Sequence, residues 1–210
     1  MPRIPESRAP GRVSTARQEE RRAAILRAAA RLGAEHGLDR VQMNEVAQSA
    51  GVALGTLYRY YPSKHHVFAA VLDTAVRDLP EPAGIPADPV VGVTEFLSRA
   101  TAELLRHPRL ARAMLVSMNA VRGEEPVLAP GGATGAENVI WQDYSMPDRI
   151  LAAGGILAPT AEDRRLARLL EQCVYGILTW ATAGRLTTDE ALSDIRRACE
   201  LLLSPWQEQG

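Results

Sequence analysis

A chain of 210 residues, 46% of them hydrophobic and 23% charged, can form one large domain or a small domain joined to a larger one, each with its own core. The net charge of −1 conceals a division, because residues 1–72 hold 11 Lys/Arg against 6 Asp/Glu and the remainder carries the acidic excess. No stretch approaches the ~18 consecutive apolar residues of a membrane span, and the N-terminus lacks the apolar segment of a signal peptide, so a soluble, cytoplasmic protein without membrane contact is expected.

Ala, Leu, Arg and Glu dominate, and no alternating run of β-branched residues is long enough for a convincing strand, so the expected fold class is all-α. A basic N-terminal end suits a polyanion, whose condensed counterions are released when phosphates are neutralised, but it equally suits a solvated, arginine-rich helix face. Cys173 and Cys199 sit among apolar helical neighbours without metal-ligand spacing and read as buried free thiols in a reducing compartment.

Residues 1–16, rich in Pro, Gly and Arg, are expected to be a disordered basic tail, either reaching a minor groove or merely solubilising. From residue 17 to 36, Ile25, Ala28, Ala29 and Leu32 mark the buried face of a helix that stops at Gly37, with Glu19 and Glu20 placed to favour its N-terminal dipole. A second helix over 42–50 buries Met43, Val46 and Ala47, and Gly51 breaks it. A third over 53–61 is ended by Pro62. Two short helices about a glycine-centred turn, braced by a longer one, describe a helix-turn-helix. Ser63 is placed to cap a fourth helix over 64–79, and the proline-rich stretch 80–89 marks a boundary. Residues 17–79 are thus expected to form the helix-turn-helix domain with its connecting helix, and 80–210 a larger helical domain. Within the latter, amphipathic helices are expected over 89–106, 108–122, 136–153, 160–183 and 187–203, with a long loop over 123–135.

The stretch from Val52 to Lys64 concentrates three tyrosines, Arg59, Lys64 and Thr56 beside Gly55. Only Val52, Leu54, Leu57 and Tyr61 have the spacing of a buried stripe, which leaves a polar, aromatic surface in need of a partner. Gly55 would permit close approach of two backbones. Thr56 offers a hydroxyl and a methyl to base edges. Lys64, the only lysine, starts the fourth helix, where its ammonium and the free backbone N–H groups could share one phosphate. Gly55 in helix packing, and Gln42 and Asn44 as helix caps, are the plainer alternatives.

Gly51-Val52 followed by Gly55-Thr56-Leu57-Tyr58-Arg59-Tyr60-Tyr61-Pro62-Ser63-Lys64 resembles the DNA-binding signature of the TetR family of transcriptional regulators, and the resemblance extends over residues 17–75. It implies DNA contacts from Gln42, Asn44, Gly55, Thr56, Tyr58, Arg59, Tyr60 and Lys64. Ala53 and Leu54 depart from the serine and polar residue that the family often carries there. Val41-Gln42-Met43 with the same signature is similar to the mycobacterial repressors of cholesterol catabolism within that family. The resemblance further implies a homodimer paired through the last two long helices on a palindromic double-stranded operator, and a small effector held in each subunit. Phe96, Met114, Met118, Trp141, Tyr144, Tyr175 and Trp180 are the bulky candidates for the effector site, though each is also ordinary core. They suggest an apolar ligand, and the resemblance suggests a steroid-like or acyl-CoA-like one.

An enzyme is not expected: His36, His65, His66 and His107 form no HExxH or other metal spacing, and no phosphate loop or nucleophile elbow is present. No cofactor or metal is implied. A helical ligand-binding or adaptor protein that no longer reads DNA is the remaining alternative.

Overall fold

The computed structural model describes residues 11–80, 84–122 and 146–207, with side chains from residue 16 onward. Among them are ten helices and no strand: α1 Gly11–His36, α2 Met43–Ser49, α3 Leu54–Tyr60, α4 Lys64–Arg77, α5 Pro89–Leu105, α6 Pro108–Val121, α7 Met146–Ala153, α8 Ala161–Thr182, α9 Thr188–Leu202 and α10 Ser204–Gln207.

The helix starts and stops follow local chemistry. Gly37, at φ +74°, closes α1 in the left-handed region where a side chain is unfavourable. Asp88 caps α5, its Oδ1 accepting from Val90 N at 2.8 Å, with Pro89 in the first turn where no N–H is missed. Reciprocal capping boxes start α8 (Thr160 with Asp163) and α9 (Thr187 with Glu190). Tyr61 is extended at φ −138°, ψ 105°, as the following proline requires.

One expectation is corrected. α1 begins at Gly11, so residues 11–16 are helical rather than part of a disordered tail, and Glu19 and Glu20 lie beyond its first turn, where the dipole argument no longer applies. No proline interrupts 11–36, and the good helix formers of 16–36 propagate the helix backward. The expected tail over 1–10, the 123–135 loop and the part of the expected 136–153 helix before Met146 lie outside the described residues.

Two cores result. The first joins Ile25, Ala29 and Leu32 of α1, Val46 and Ala47 of α2, Leu57 of α3, Tyr61, and Val67, Phe68 and Val71 of α4 with Ala113 and Met114 of α6. The second gathers α5, α7, α8, α9 and Trp206 about Val93, Leu97, Ile150, Leu170, Ile195 and Leu203, and takes Leu115 from α6. Adjacent residues of α6 therefore face different cores, which makes it the wall between them, and α4 packs chiefly on α6. Gly33 permits this closeness, since a Cβ there would lie 2.5 Å from Cε1 of the fully buried Phe68. Filling that space would force the α1–α4 contact apart at about 1–3 kcal/mol. No helix among the described residues is long and apolar enough to cross a membrane.

Candidate nucleic-acid interface and effector cavity

In the helix-turn-helix, Gly51 at φ +66° makes the reversal between α2 and α3, and Val52 N–H bonds back to Ala47 O at 3.0 Å. α3 is anchored by one face alone. Leu57 is fully buried, and Tyr61 just beyond the helix is 1% exposed, its hydroxyl accepting from Arg22 Nε at 3.2 Å. Burial pushes the Tyr61 phenol above its ordinary value, and the Arg22 charge and hydrogen bond oppose the shift without cancelling it. Tyr61 therefore stays protonated and structural.

The opposite face is open. Leu54, Gly55, Tyr58 and Arg59 are exposed, and Thr56 and Tyr60 are half-buried beside them. A Cβ built on Gly55 meets nothing within 4 Å, so helix packing does not account for this glycine. Ala53 occupies the N-cap of α3 without a side-chain bond to the helix. Gln42 is the N-cap of α2; its N–H donates to Glu45 Oε2 at 3.0 Å, and Glu45 N–H donates to Asn44 Oδ1 at 3.0 Å. Gln42 and Asn44 are exposed and lie on the same surface of the head as the start of α2. Lys64 Nζ donates to Leu38 O at 3.1 Å, which ties the start of α4 to the α1–α2 turn; an ammonium has three donors, so others remain for a phosphate.

The first turn of α4 is a junction. Besides Lys64, His65 Nδ1 lies 3.2 Å from Ser117 Oγ of α6, and Ser63 Oγ lies 2.9 Å from His66 Nδ1. At the far end, Arg149 of α7 donates from Nη2 to Leu79 O at 2.5 Å while its guanidinium stands 5.7 Å over the Phe96 ring. That cation also lies at the C-terminal end of α4, where the helix dipole favours positive charge. The sequence gives no sign of either long-range contact, since 52 and 70 residues separate the partners.

Between the two cores lies a cavity of about 1240 Å³, lined from α1, α4, α5, α6, α8 and the start of α7. Met114, Met118 and Tyr175 line it, with Leu97, Leu104, Leu115, Val174 and Leu178 supplying apolar surface. Tyr175 OH donates a long bond of 3.4 Å to Leu115 O. Two expected lining residues lie elsewhere. Phe96 is buried in the second core beneath Arg149, and Trp180 is 61% exposed on the outer face of α8. Helical spacing identifies an amphipathic face but not which of two buried surfaces it meets, nor whether a partner covers it. Trp141 and Tyr144 lie outside the described residues. Arg122 and Glu171, joined at 3.3 Å, stand on the cavity rim.

Cys173 and Cys199 are free, and burial pushes both thiols up, away from the reactive thiolate. Among the described residues no group of three His, Cys, Asp or Glu could hold a metal.

Helices alone among the described residues, with α3 open on a helix-turn-helix and a large cavity between that head and the second core, form the architecture of a helix-turn-helix regulator with a ligand domain. The model of bacterial regulatory proteins of the tetR family matches residues 25–71, and that of the tetracyclin repressor-like C-terminal domain matches residues 87–202. The chain is 30% identical over 195 residues to the HTH-type transcriptional repressor KstR of Rhodococcus jostii, covering 91% of this chain and 86% of that one. A TetR transcriptional regulator from Rhodococcus sp. RHA1 has a similar solved structure, with a TM-score of 0.74 at 40% identity over 89% of this chain and 96% of that one. Thermus thermophilus FadR, a repressor solved in complex with lauroyl-CoA, shares the fold at 21% identity and a TM-score of 0.58, covering 87% of this chain and 93% of that one. The protein belongs to the TetR family of transcriptional regulators.

Proposed function

We propose that this protein is a cytoplasmic, homodimeric transcriptional repressor that binds a palindromic operator and is released by a small apolar effector, acting by binding rather than by catalysis. Residues 17–79 serve as reading head and connecting helix, and 80–210 as effector and dimerisation domain. The open face of α3 carries this reading: Gly55 has no packing reason to lack a side chain, and it sits among exposed Tyr58 and Arg59. In a major groove Thr56 and Arg59 read base edges, Tyr58, Tyr60 and Lys64 hold phosphates, and Gln42 and Asn44 add backbone contacts from the start of α2.

Dimerisation through α8 and α9 is supported by Leu169, Trp180 and Leu201, large apolar side chains 41–61% exposed on their outer faces. Gly176 between the first two leaves open space where a second backbone could approach. A two-fold dimer matches half-sites about one helical turn (~34 Å) apart.

The effector occupies the cavity, touching Met114, Met118 and Tyr175. At about 1240 Å³ it exceeds the ~300–1,000 Å³ of sites for drug-sized ligands, which favours a sterol skeleton or a long acyl chain of an acyl-CoA. Similarity to the KstR repressor and the shared fold of a repressor solved with lauroyl-CoA support that class. Because α4 lines the cavity and is tied at its start to α6 and at its end to α7, an occupant that favours one setting of α6 and α7 also favours one setting of the reading head. Such a population shift is typically worth ~1–3 kcal/mol. The test is fluorescence anisotropy of the purified protein on the DNA upstream of its own coding sequence, titrated with 4-cholesten-3-one and with lauroyl-CoA. Release by one and not by a short-chain control is expected; retention of the complex with both at saturation contradicts the effector assignment.

A further inference from the structure

Apolar side chains line the cavity together with charged ones, Arg22, Glu103, Arg122 and Glu171 among them, and one of its hydroxyls is unlike the other mid-helix threonines. Thr74, Thr94, Thr179 and Thr182 each turn the side chain back onto the carbonyl four residues earlier, at 2.7–2.9 Å. That bond is the ordinary way for a mid-helix threonine to satisfy its hydroxyl. Thr101 of α5 is only 2% exposed and lines the cavity, yet among the described residues its hydroxyl has no hydrogen-bond partner. Buried polar side chains are bonded in the large majority of cases, and a group left without a partner calls for a reason. Its neighbours on the same face of α5 are Leu97 and Leu104, which also line the cavity.

We infer that Thr101 is the polar anchor of the effector site, donating its hydroxyl to an uncharged oxygen, a carbonyl or hydroxyl, carried on an otherwise apolar ligand. The inference rests on the reading of this cavity as an effector site and narrows the ligand within it. The charged side chains that line the cavity, Arg22, Arg122 and Arg168 among them, suit an ionic part of a ligand, whereas the hydroxyl on the Leu97 and Leu104 face suits a neutral oxygen, since a desolvated ion against leucines is costly. A plain hydrocarbon leaves the hydroxyl as unsatisfied as it is in the empty cavity. An oxygenated one satisfies it, and a site with a buried donor discriminates against the analogue that lacks the acceptor.

The test uses two matched pairs, 5α-androstan-3-one with 5α-androstane and 2-dodecanone with dodecane, measured by equilibrium dialysis on the full chain. The wild type should bind the ketone of at least one pair about tenfold more tightly than its hydrocarbon, the size expected of one neutral hydrogen bond near the upper end of its range. Thr101→Val should abolish that preference by losing ketone affinity while keeping the hydrocarbon. Thr101→Ser should retain it, and so should Ser98→Ala, which removes a buried, unpartnered hydroxyl of α5 that does not line the cavity. A ligand-free readout accompanies these: if the hydroxyl is unbonded, Thr101→Val leaves Tm unchanged or raises it.

A preference that survives in Thr101→Val, or that is absent from the wild type although the compounds bind, overturns the inference and leaves the apolar-effector reading intact. A fall in Tm of the ligand-free Thr101→Val protein overturns it too, by showing a partner for the hydroxyl in the empty cavity. No binding of any of the four compounds overturns the apolar-effector reading and this inference with it.

Discussion

Gly55→Ala separates the two roles that a glycine in a helix can have. Gly55 is the second residue of α3, is exposed, and is not among the glycines with positive φ, so alanine adopts its backbone without strain. A Cβ there meets nothing within 4 Å, so no clash offsets the gain in helix propensity. Replacing an unstrained helical glycine with alanine stabilises by about 0.5–1 kcal/mol. For a chain of this size 1 kcal/mol moves Tm by about 2–4 °C, so the variant should melt ~1–4 °C higher. Its affinity for operator DNA should fall by at least about tenfold, or ~1.4 kcal/mol, because the added methyl holds α3 away from the groove. Calorimetry and fluorescence anisotropy on one preparation read both effects. A lower Tm would show that the glycine serves the fold, and a higher Tm with unchanged DNA affinity would remove α3 from the interface.

Lys64→Ala should weaken binding to all DNA sequences and reduce the salt slope by about one, whereas Thr56→Ala should relax preference at particular base pairs; a uniform loss from Thr56→Ala, seen in a binding-site selection, would reassign it to the phosphate contacts. Trp180→Glu should give a folded monomer by light scattering with unchanged helical circular dichroism, and a dimer mass would move the interface away from α8. Asp163, 5% exposed, accepts from Thr160 N at 2.8 Å, Thr160 Oγ1 at 2.7 Å and Trp206 Nε1 at 2.8 Å. Burial acts to raise its pKa, but these bonds outweigh burial and hold it below the ordinary 3.8. A depressed folded pKa gives stability that is present above 3.8 and lost as pH falls through the lower folded value. Asp163→Asn should therefore cost about 1–3 kcal/mol at pH 7, and the gap to the wild type should narrow in urea melts taken below pH 4; a gap independent of pH would exclude the ionised carboxylate as its source.

The reading head is legible in the sequence because its determinants are local. Gly51, Pro62, Ser63 and the apolar spacing of Leu57 and Tyr61 lie within thirteen residues, and each acts on its immediate neighbours. The cavity is not legible in the same way. Periodicity assigns Phe96 and Met114 alike to buried faces, but which core each meets depends on α6 standing between the two, a property of the packed bundle. Trp180 reads as an effector-site or core residue in the sequence, and only its 61% exposure among the described residues marks it as surface. The bonds Arg149–Leu79, His65–Ser117 and Asp163–Trp206 span 70, 52 and 43 residues, and no motif announces such pairs. Thr101 carries no sequence signal, since the lack of a bond is visible only once every neighbour is placed.

Footprinting the purified protein on the DNA upstream of its own coding sequence decides whether a dimer reads DNA through α3. A protected palindrome with two equal half-sites is expected, weakened as salt is raised and lost in Gly55→Ala. A folded dimer that protects no sequence at low salt contradicts it.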